Sequence, residues 1–211
     1  MSFSNNGNKP YKKKKSRFYE APEEPLTEHQ KARVLRKMEN ICLWYIAKSR
    51  KTRKELYDRL RERRYPAEFI ETVLDKLEEQ KDIDDASYAE YFAYSRHHYD
   101  RLGQRAIETK LRQKGVAAEI IAEAIDKVDM SDEEENAQVI VERKLRFMRN
   151  MDDQKKTQRL VGMLARKGYD MGSAFRIVKE AIQAQKDEDE AEEYQAELDR
   201  QVAEKEEPDF S

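Results

Sequence analysis

The sequence predicts an all-α protein of three tandem three-helix repeats that form an elongated, curved array. One helical segment recurs after 51 and then 53 residues, and no proline occurs between Pro66 and Pro208. Charged residues make up 41% of the chain and hydrophobic residues 38%, whereas an average globular domain is about 25% charged. Slender amphipathic helices that bury narrow apolar stripes against neighbouring repeats therefore suit this chain better than one thick core.

The recurring segment begins at Thr52, Gly103 and Lys156, and each copy carries two apolar residues four positions apart, on one face of a helix. The three pairs are Leu56 with Leu60, Ile107 with Leu111, and Leu160 with Leu164. A lysine followed by Gly115 or Gly168 closes the second and third copies. This ending is typical of a helix that stops in a left-handed residue, and it predicts a helix in each copy.

The first copy departs from this ending, because Arg64 stands where the other copies have glycine, and Pro66 follows two residues later. Proline ends one helix and favours the first turn of the next. We therefore expect the same helix boundary here, and the missing glycine leaves the shape of the loop open.

Each copy is flanked by two further helices, which gives nine in all. We expect the preceding helices over 29–47, 85–97 and 131–147, and the following helices over 66–79, 117–127 and 170–183. Thr52 with Glu55 and Ser131 with Glu134 fit the capping box, which satisfies backbone donors at a helix start. The predicted organisation is a disordered basic tail over 1–28, repeats over 29–82, 83–129 and 130–183, and an acidic C-terminal tail over 184–211.

Several side chains are assigned to the core from their helical spacing. Trp44 lies in the apolar stretch of the first helix, and Tyr88 and Phe92 are four residues apart, so we expect all three to be buried. We expect half-exposed packing for Tyr91, Tyr94 and Tyr99. The single cysteine, Cys42, precludes an internal disulfide and is expected to pack as a small hydrophobic residue.

The net charge of −2 conceals an uneven distribution along the chain. Residues 184–211 hold twelve acids and three basic residues, whereas 29–183 hold 33 basic and 28 acidic residues. A mildly basic body favours a polyanionic partner, although salt-bridged helix faces produce similar counts. The first 20 residues are polar, and no run approaches the roughly 18–20 apolar residues of a membrane span. We expect a soluble, cytoplasmic monomer without membrane contact.

The residue types needed for catalysis or metal binding are not arranged for it. The chain has His29, His97 and His98, and the adjacent pair would point about 100° apart on a helix, which does not suit joint chelation of a metal ion. Neither a glycine-rich phosphate loop nor a Ser-His-Asp or Cys-His arrangement is recognisable. We therefore predict a protein that is not an enzyme, with no catalytic residues, no metal and no cofactor.

The candidate binding surface consists of basic loops between helices. The richest segment runs from Arg96 to Lys114 and includes the aromatic residue Tyr99, a combination that suits phosphates or an acidic protein surface. A second basic run, 48–54, occupies the equivalent loop of the first repeat. A solvated helix face explains these residues about equally well. The candidate contact residues are Arg96, Arg101, Arg105, Arg112 and Lys114, followed by Arg50, Arg53 and Lys54.

Several of these segments resemble the RecX family. The apolar helix end 44–47 followed by 49–56 resembles the opening of RecX proteins, and 83–92 resembles their Asp-Asp segment. The most characteristic resemblance comprises Ser95, Arg96, Gly103, Arg105, Ile107, Leu111 and 114–116. The closing unit 164–169 is similar to that of the family. The resemblance covers about 40–183, and Arg64 and Lys81 replace glycines of the family pattern.

The resemblance implies three three-helix repeats and a regulatory function. It implies a protein that binds RecA, free or as a nucleoprotein filament on DNA, lodges along the filament groove, and inhibits ATP hydrolysis and strand exchange. This implies a role in moderating recombinational DNA repair and the SOS response.

Two other functions stay open at this point. One is direct DNA binding without RecA, in which helix pairs act as helix-turn-helix units. Acidic residues on the third and sixth helices argue against it, because phosphates would be repelled: Glu71, Asp75, Glu78, Glu119 and Glu123. The other is a helical scaffold that binds neither partner.

Overall fold

A computed structural model describes residues 18–22 and 24–206, with side chains described as far as Gln201. These residues form nine α-helices and no strand. The helices are α1 (Glu28–Lys48), α2 (Arg53–Glu62), α3 (Ala67–Glu79), α4 (Asp85–His98), α5 (Gln104–Gln113), α6 (Ala118–Asp126), α7 (Glu133–Leu145), α8 (Asp153–Arg166) and α9 (Met171–Glu206). The prediction of an all-α chain of three-helix repeats is confirmed.

The helices belong to two compact units, one ending at Asp84 and one beginning at Asp85. The first unit contains α1 to α3 around one apolar core, whose fully buried members include Met38, Leu60 and Leu74. The second unit contains two cores, one formed by α4 to α6 and one by α7 to α9. Each repeat thus buries the apolar stripes of three helices on a core of its own.

The recurring helix ends in the same way in all three copies. The carbonyl oxygens of Leu60, Leu111 and Leu164 accept hydrogen bonds from the amides of Tyr65, Val116 and Tyr169, at 3.3, 3.2 and 3.1 Å. The residue before each of these donors is left-handed, with φ of 67° at Arg64, 78° at Gly115 and 91° at Gly168. This is the Schellman motif. Its second hydrogen bond is also present in each copy.

Arg64 therefore adopts the conformation for which glycine is usual, and the loop of the first repeat has the same shape as those of the other two. Lys81, after α3, does the same with φ of 62°, and the Asp82 amide donates to the Leu77 carbonyl at 2.9 Å. A side chain in this conformation costs about 1–2 kcal/mol. The carbonyl hydrogen bonds and the burial of Tyr65 on the core offset that cost.

One of the two predicted capping boxes is present, and the prediction of the other is wrong. The Thr52 hydroxyl accepts from the Glu55 amide, and the Glu55 side chain accepts from the Thr52 amide, as predicted. Helix α7, in contrast, begins after Asp132 without a side-chain cap, so Ser131 is not its cap. The Asp132 carboxylate is instead hydrogen-bonded to His97 of the preceding repeat.

Two residues of α1 show which face of the helix is buried. Cys42 is 1% exposed, as expected, whereas Trp44 is 53% exposed, so its predicted core position is wrong. The buried pair on this helix is Met38 and Cys42. Trp44 follows Cys42 by two residues and so points about 200° away around the helix axis. Tyr88 and Phe92 are buried, and the predictions for both are confirmed.

Parts of both predicted tails have a defined conformation in the described chain. Within the segment expected to be a disordered tail, residues 1–17 and 23 lie outside the described residues. The Tyr19 amide donates to the Arg63 carbonyl at 2.8 Å, and its ring lies 5.2 Å from that of Tyr65. Helix α9 extends beyond residue 183 into the predicted acidic tail and continues to Glu206. Arg149 and Lys186 form ion pairs with Asp189 and Asp153 at 3.7 and 2.5 Å, at the base of this extension.

Candidate functional site

Two neighbouring clefts in the second unit collect three of the eight candidate contact residues, together with further basic side chains. The first, termed the basic cleft, has a volume of about 720 Å³ and is lined by Phe92, Arg96, Asp100, Leu102, Lys110, Gln113, Lys114 and Lys167. The second, termed the aromatic cleft, has a volume of about 550 Å³ and is lined by Tyr99, Asp100, Arg101, Ile140, Arg143, Lys144, Phe147, Met163 and Lys167. Asp100 and Lys167 line both, so the two clefts are adjacent.

The basic cleft holds four cationic side chains and one acidic side chain. The acid, Asp100, forms an ion pair with Arg96 at 2.5 Å. The Lys114 ammonium lies 5.6 Å from the ring centroid of Tyr88 and 5.9 Å from that of Phe92. These two buried rings thus orient the charge by cation–π attraction. The net positive lining suits phosphate or carboxylate groups.

The aromatic cleft combines cations with unusually exposed rings. Tyr99 is 76% and Phe147 85% exposed, while Ile140 and Met163 provide apolar lining. The exposed rings provide apolar contact area, and Arg143 and Lys144 beside them provide positive charge. Such a surface is typical of binding sites for anionic macromolecules.

Short contacts between the second and third repeats determine the position of the clefts. The Lys167 ammonium donates to the Asp100 carbonyl at 2.8 Å, and its own carbonyl accepts from the Gly103 amide at 2.9 Å. The Tyr169 hydroxyl donates to the Arg101 carbonyl at 3.0 Å. The Arg101 guanidinium in turn donates to Asn136 at 2.9 Å. The loop after α4 is therefore attached to both α7 and the end of α8.

Glycines allow the two repeats to approach this closely. A Cβ atom on Gly103 would lie 2.9 Å from the carbonyl carbon and oxygen of Gly168. A Cβ atom on Gly168 would lie 2.3 Å from the amide nitrogen of Ala106. Both distances are below van der Waals contact, so a side chain at either position would push the repeats apart.

A buried histidine joins the same two repeats. His97 is fully buried, its Nε2 donates to Asp132 Oδ1 at 2.6 Å, and its Nδ1 lies 3.3 Å from the Leu102 carbonyl oxygen. The hydrogen bond from His97 lowers the pKa of Asp132 below its ordinary value. The neighbouring Glu133 is half-buried, and burial raises its pKa. Sequence reasoning considered His97 only as a metal ligand and missed this structural role.

Five candidate contact residues lie in the second unit, and the clefts bring three of them together. Arg96 and Lys114 line the basic cleft, and Arg101 lines the aromatic cleft. Arg105 and Arg112 line neither cleft. They form ion pairs with Asp170 at 2.9 Å and with Glu108 at 3.4 Å.

The remaining candidates lie in the first unit. Arg50 is exposed in the loop before α2, and Lys54 pairs with Asp58 at 2.5 Å. Arg53 is only 27% exposed and reaches three acids of α3. Its partners are Glu71, Asp75 (2.6 Å) and Glu78 (2.6 Å). Partial burial opposes its charge, but the hydrogen bonds to Asp75 and Glu71 outweigh burial and raise its pKa.

The ion pairs of Arg53 weaken one argument against direct DNA binding. In the sequence, Glu71, Asp75 and Glu78 argue against it, because free carboxylates repel phosphates. All three are instead partners of Arg53, which holds α2 against α3. Part of their negative charge is therefore neutralised within the first unit.

Sequence reasoning missed Lys167, Arg143, Lys144 and Phe147 as site residues. The signal was available in the run from Arg143 to Arg149, in which four basic residues surround one aromatic residue. Lys167 gave no local signal, because it lies beside the other residues only through the contact between repeats. Among the described residues, no helix is long and apolar enough to cross a membrane.

Comparison with known proteins gives consistent matches along the chain. Models of the first, second and third three-helix domains of RecX match residues 40–77, 84–125 and 132–178. A "Regulatory protein RecX" of Streptomyces lividans is 44% identical over 143 residues, which is 68% of this chain and 76% of that protein. Its counterpart in Thermobifida fusca is 40% identical over 145 residues, or 69% and 78% of the two chains.

Solved structures agree with the sequence matches. A structure described as "Crystal structure of regulatory protein RecX" is similar with a TM-score of 0.63 and 27% identity, covering 74% of this chain and 79% of that one. The RecX structure from Lactobacillus salivarius has a TM-score of 0.61 and 23% identity over 71% and 97% of the two chains, and supports the fold. The order of the three domains and the identity to these relatives establish that the chain belongs to the RecX family of regulatory proteins.

Proposed function

We propose that this protein binds the RecA recombinase, free or as a nucleoprotein filament on DNA, and inhibits its ATP hydrolysis and strand exchange. The observation that carries the proposal, beside family membership, is the adjacent pair of clefts with seven cationic side chains and two exposed rings. Cations of this kind attract an acidic protein surface or the phosphates of filament DNA, and exposed rings add apolar contact area.

The proposed mechanism is regulatory and not catalytic. A monomer bound across neighbouring RecA protomers adds contacts that each round of ATP turnover must break, so turnover slows. The same contacts oppose the exchange of strands within the filament. The protein would thereby moderate recombinational repair and the SOS response in the cytoplasm, where RecA and DNA are found.

The test uses charge reversals in the clefts. Lys110 and Lys144 are exposed and form no ion pair with other described residues, so Lys110→Glu and Lys144→Glu leave the fold intact. Lys179→Glu, on an exposed part of α9 outside both clefts, is the matched control. We expect each cleft variant to need about tenfold more protein for half-inhibition of RecA ATP hydrolysis on single-stranded DNA, equivalent to about 1.4 kcal/mol.

Two results would contradict the proposal. Unchanged ATP hydrolysis and strand exchange with stoichiometric wild-type protein would refute RecA inhibition. Equal inhibition by the cleft variants and by Lys179→Glu would refute the assignment of the clefts.

Direct nucleic-acid binding is a second candidate, favoured by the exposed rings of Tyr99 and Phe147 beside cations. It predicts binding to DNA without RecA, with an affinity that falls steeply as salt rises. Fluorescence anisotropy of labelled single-stranded and duplex DNA separates the two functions. It is measured from about 50 to 200 mM salt, the range over which salt weakens phosphate contacts.

A further inference from the structure

A separate basic groove lies in the first unit, along α1. Its volume is about 640 Å³, and it is lined by Arg33, Arg36, Lys37, Asn40, Ile41, Trp44 and Arg63. We call it the Trp44 groove. The Trp44 ring is 53% exposed and adds apolar surface beside these cations.

The Trp44 groove continues toward the start of α1. A second depression of about 330 Å³ shares Arg33 and Lys37 with it. The other lining residues are Tyr19, Glu20, Pro22, Leu26, Gln30 and Val34. From Gln30 to Trp44 the helix rises about 21 Å, the length of about six residues in extended conformation.

The charges of the groove are unbalanced. Arg33, Arg36 and Lys37 form no ion pair with other described residues, and the Arg63 guanidinium lies against the Tyr45 hydroxyl and ring. The acid on the same stretch of α1, Glu39, is paired with Lys76 at 2.7 Å. Four cations thus face one acid, Glu20, at the far end of the depression. An anionic occupant is favoured.

The apolar lining distinguishes a peptide from a nucleic acid. Leu26, Val34 and Ile41 are aliphatic, and a sugar–phosphate backbone has few apolar groups to bury against them. The Lys48 ammonium lies 3.7 Å above the Trp44 ring. A nucleobase that stacks on that face must displace it, whereas a side chain inserted beside Ile41 leaves it in place. Charge and lining together fit carboxylates that flank an apolar side chain.

We propose that the Trp44 groove is a docking site for an extended acidic segment of a partner protein, anchored by one large apolar side chain. Carboxylates of the segment pair with Arg33, Arg36 and Lys37, and the apolar anchor packs between Ile41 and the Trp44 ring. This proposal does not depend on the clefts of the second unit or on RecA.

The experiment measures fluorescence anisotropy of a labelled nine-residue peptide in which glutamates flank a central phenylalanine. With the full-length protein we expect saturable binding. Lys37→Glu and Trp44→Ala should each weaken it at least about tenfold, the range of an interface anchor or a desolvated charge pair. Lys179→Glu, which makes the same change of charge elsewhere, should have no effect. Circular dichroism confirms that each variant is folded.

Trp44 is the only tryptophan, so its emission reports occupancy of the groove directly. Peptide binding should shift this emission, and a peptide with alanine in place of phenylalanine should bind at least about tenfold more weakly. Equal binding of the two peptides, or equal weakening by Lys179→Glu and Lys37→Glu, would overturn the proposal.

Two other occupants are tested in the same assay. If a labelled thymidine oligonucleotide binds more tightly than the peptide and Lys37→Glu abolishes that binding, the groove is a nucleic-acid site and the proposal fails. If deletion of residues 203–211 alone shifts the Trp44 emission, the groove already holds a segment of the same protein. That result overturns the assignment to a partner.

Discussion

Substitution of Gly168 by alanine should destabilise the second unit far more than a helix-ending glycine usually does. Two costs add at this position. The left-handed backbone, with φ of 91°, costs an alanine about 1–2 kcal/mol. The new Cβ would also lie 2.3 Å from the amide nitrogen and 2.6 Å from the Cβ of Ala106. Because backbone of α5 must move, overpacking adds about 1–3 kcal/mol, and we expect a total of about 3 kcal/mol.

Gly115 provides the matched control. It ends the equivalent helix of the second repeat with φ of 78°. We expect Gly115→Ala to show the conformational cost of the left-handed backbone, about 1–2 kcal/mol. The difference between the two variants measures the contact between the second and third repeats.

Thermal and urea unfolding followed by circular dichroism provide the measurement. A loss of about 3 kcal/mol should lower the Tm of the second unit by about 10 °C. Trp44 fluorescence, which reports the first unit, should keep its midpoint in both variants. If Gly168→Ala costs no more than Gly115→Ala, the close approach of the repeats is not a determinant of stability and the reasoning is refuted.

Three further perturbations test other contacts. Burial raises the pKa of the Cys42 thiol to about 12, so a thiol reagent at pH 8 should react only as the first unit unfolds; rapid reaction under native conditions would contradict its burial. The pKa of Asp132 is lowered by His97, so its contribution is present above the ordinary carboxyl value of 3.8 and is lost as pH falls through the lower folded value. Asp132→Asn should therefore destabilise the protein at pH 6, and this cost should shrink as the pH falls below 3.8. Urea unfolding across this pH range measures the difference, and a constant difference would argue against the linkage. Arg53→Ala removes a partly exposed network of three ion pairs. It should lower the free energy of unfolding by about 1–2 kcal/mol, measured by urea unfolding followed by Trp44 fluorescence. An equal loss in Lys54→Ala, which removes one exposed ion pair, would show that the network adds nothing.

Helix positions were predictable because they depend on local periodicity and on residues near each end. The apolar pairs, the Thr52 capping box and the left-handed stops at Gly115 and Gly168 all involve residues within six positions of one another. Arg64 shows that a left-handed helix end does not always require glycine. The backbone of the first repeat takes the left-handed stop although it lacks glycine there, because the hydrogen bonds to Leu60 and Arg61 and the packing of Tyr65 favour it.

The wrong predictions for Ser131 and Trp44 share one cause. In both cases the outcome depends on residues that are distant in sequence. Ser131 fits a cap locally, but His97, 35 residues from Asp132, takes the carboxylate at the helix start. Trp44 lies in an apolar stretch of α1, but the face of α1 that is buried depends on the apolar side chains of α2 and α3. That face contains Cys42 and not Trp44.

The sequence by itself determined that the chain is helical, that it repeats three times, and that its body carries exposed basic loops, because periodicity, end signals and charge are local properties. The tertiary structure alone decided which basic residues act together. It brings Lys167 to Asp100 across 67 positions, draws Arg53 into the acids of α3, and leaves the Trp44 ring at the surface. These outcomes depend on how closely one helix approaches another, and at the contact between the second and third repeats that distance is set by the absence of side chains at Gly103 and Gly168.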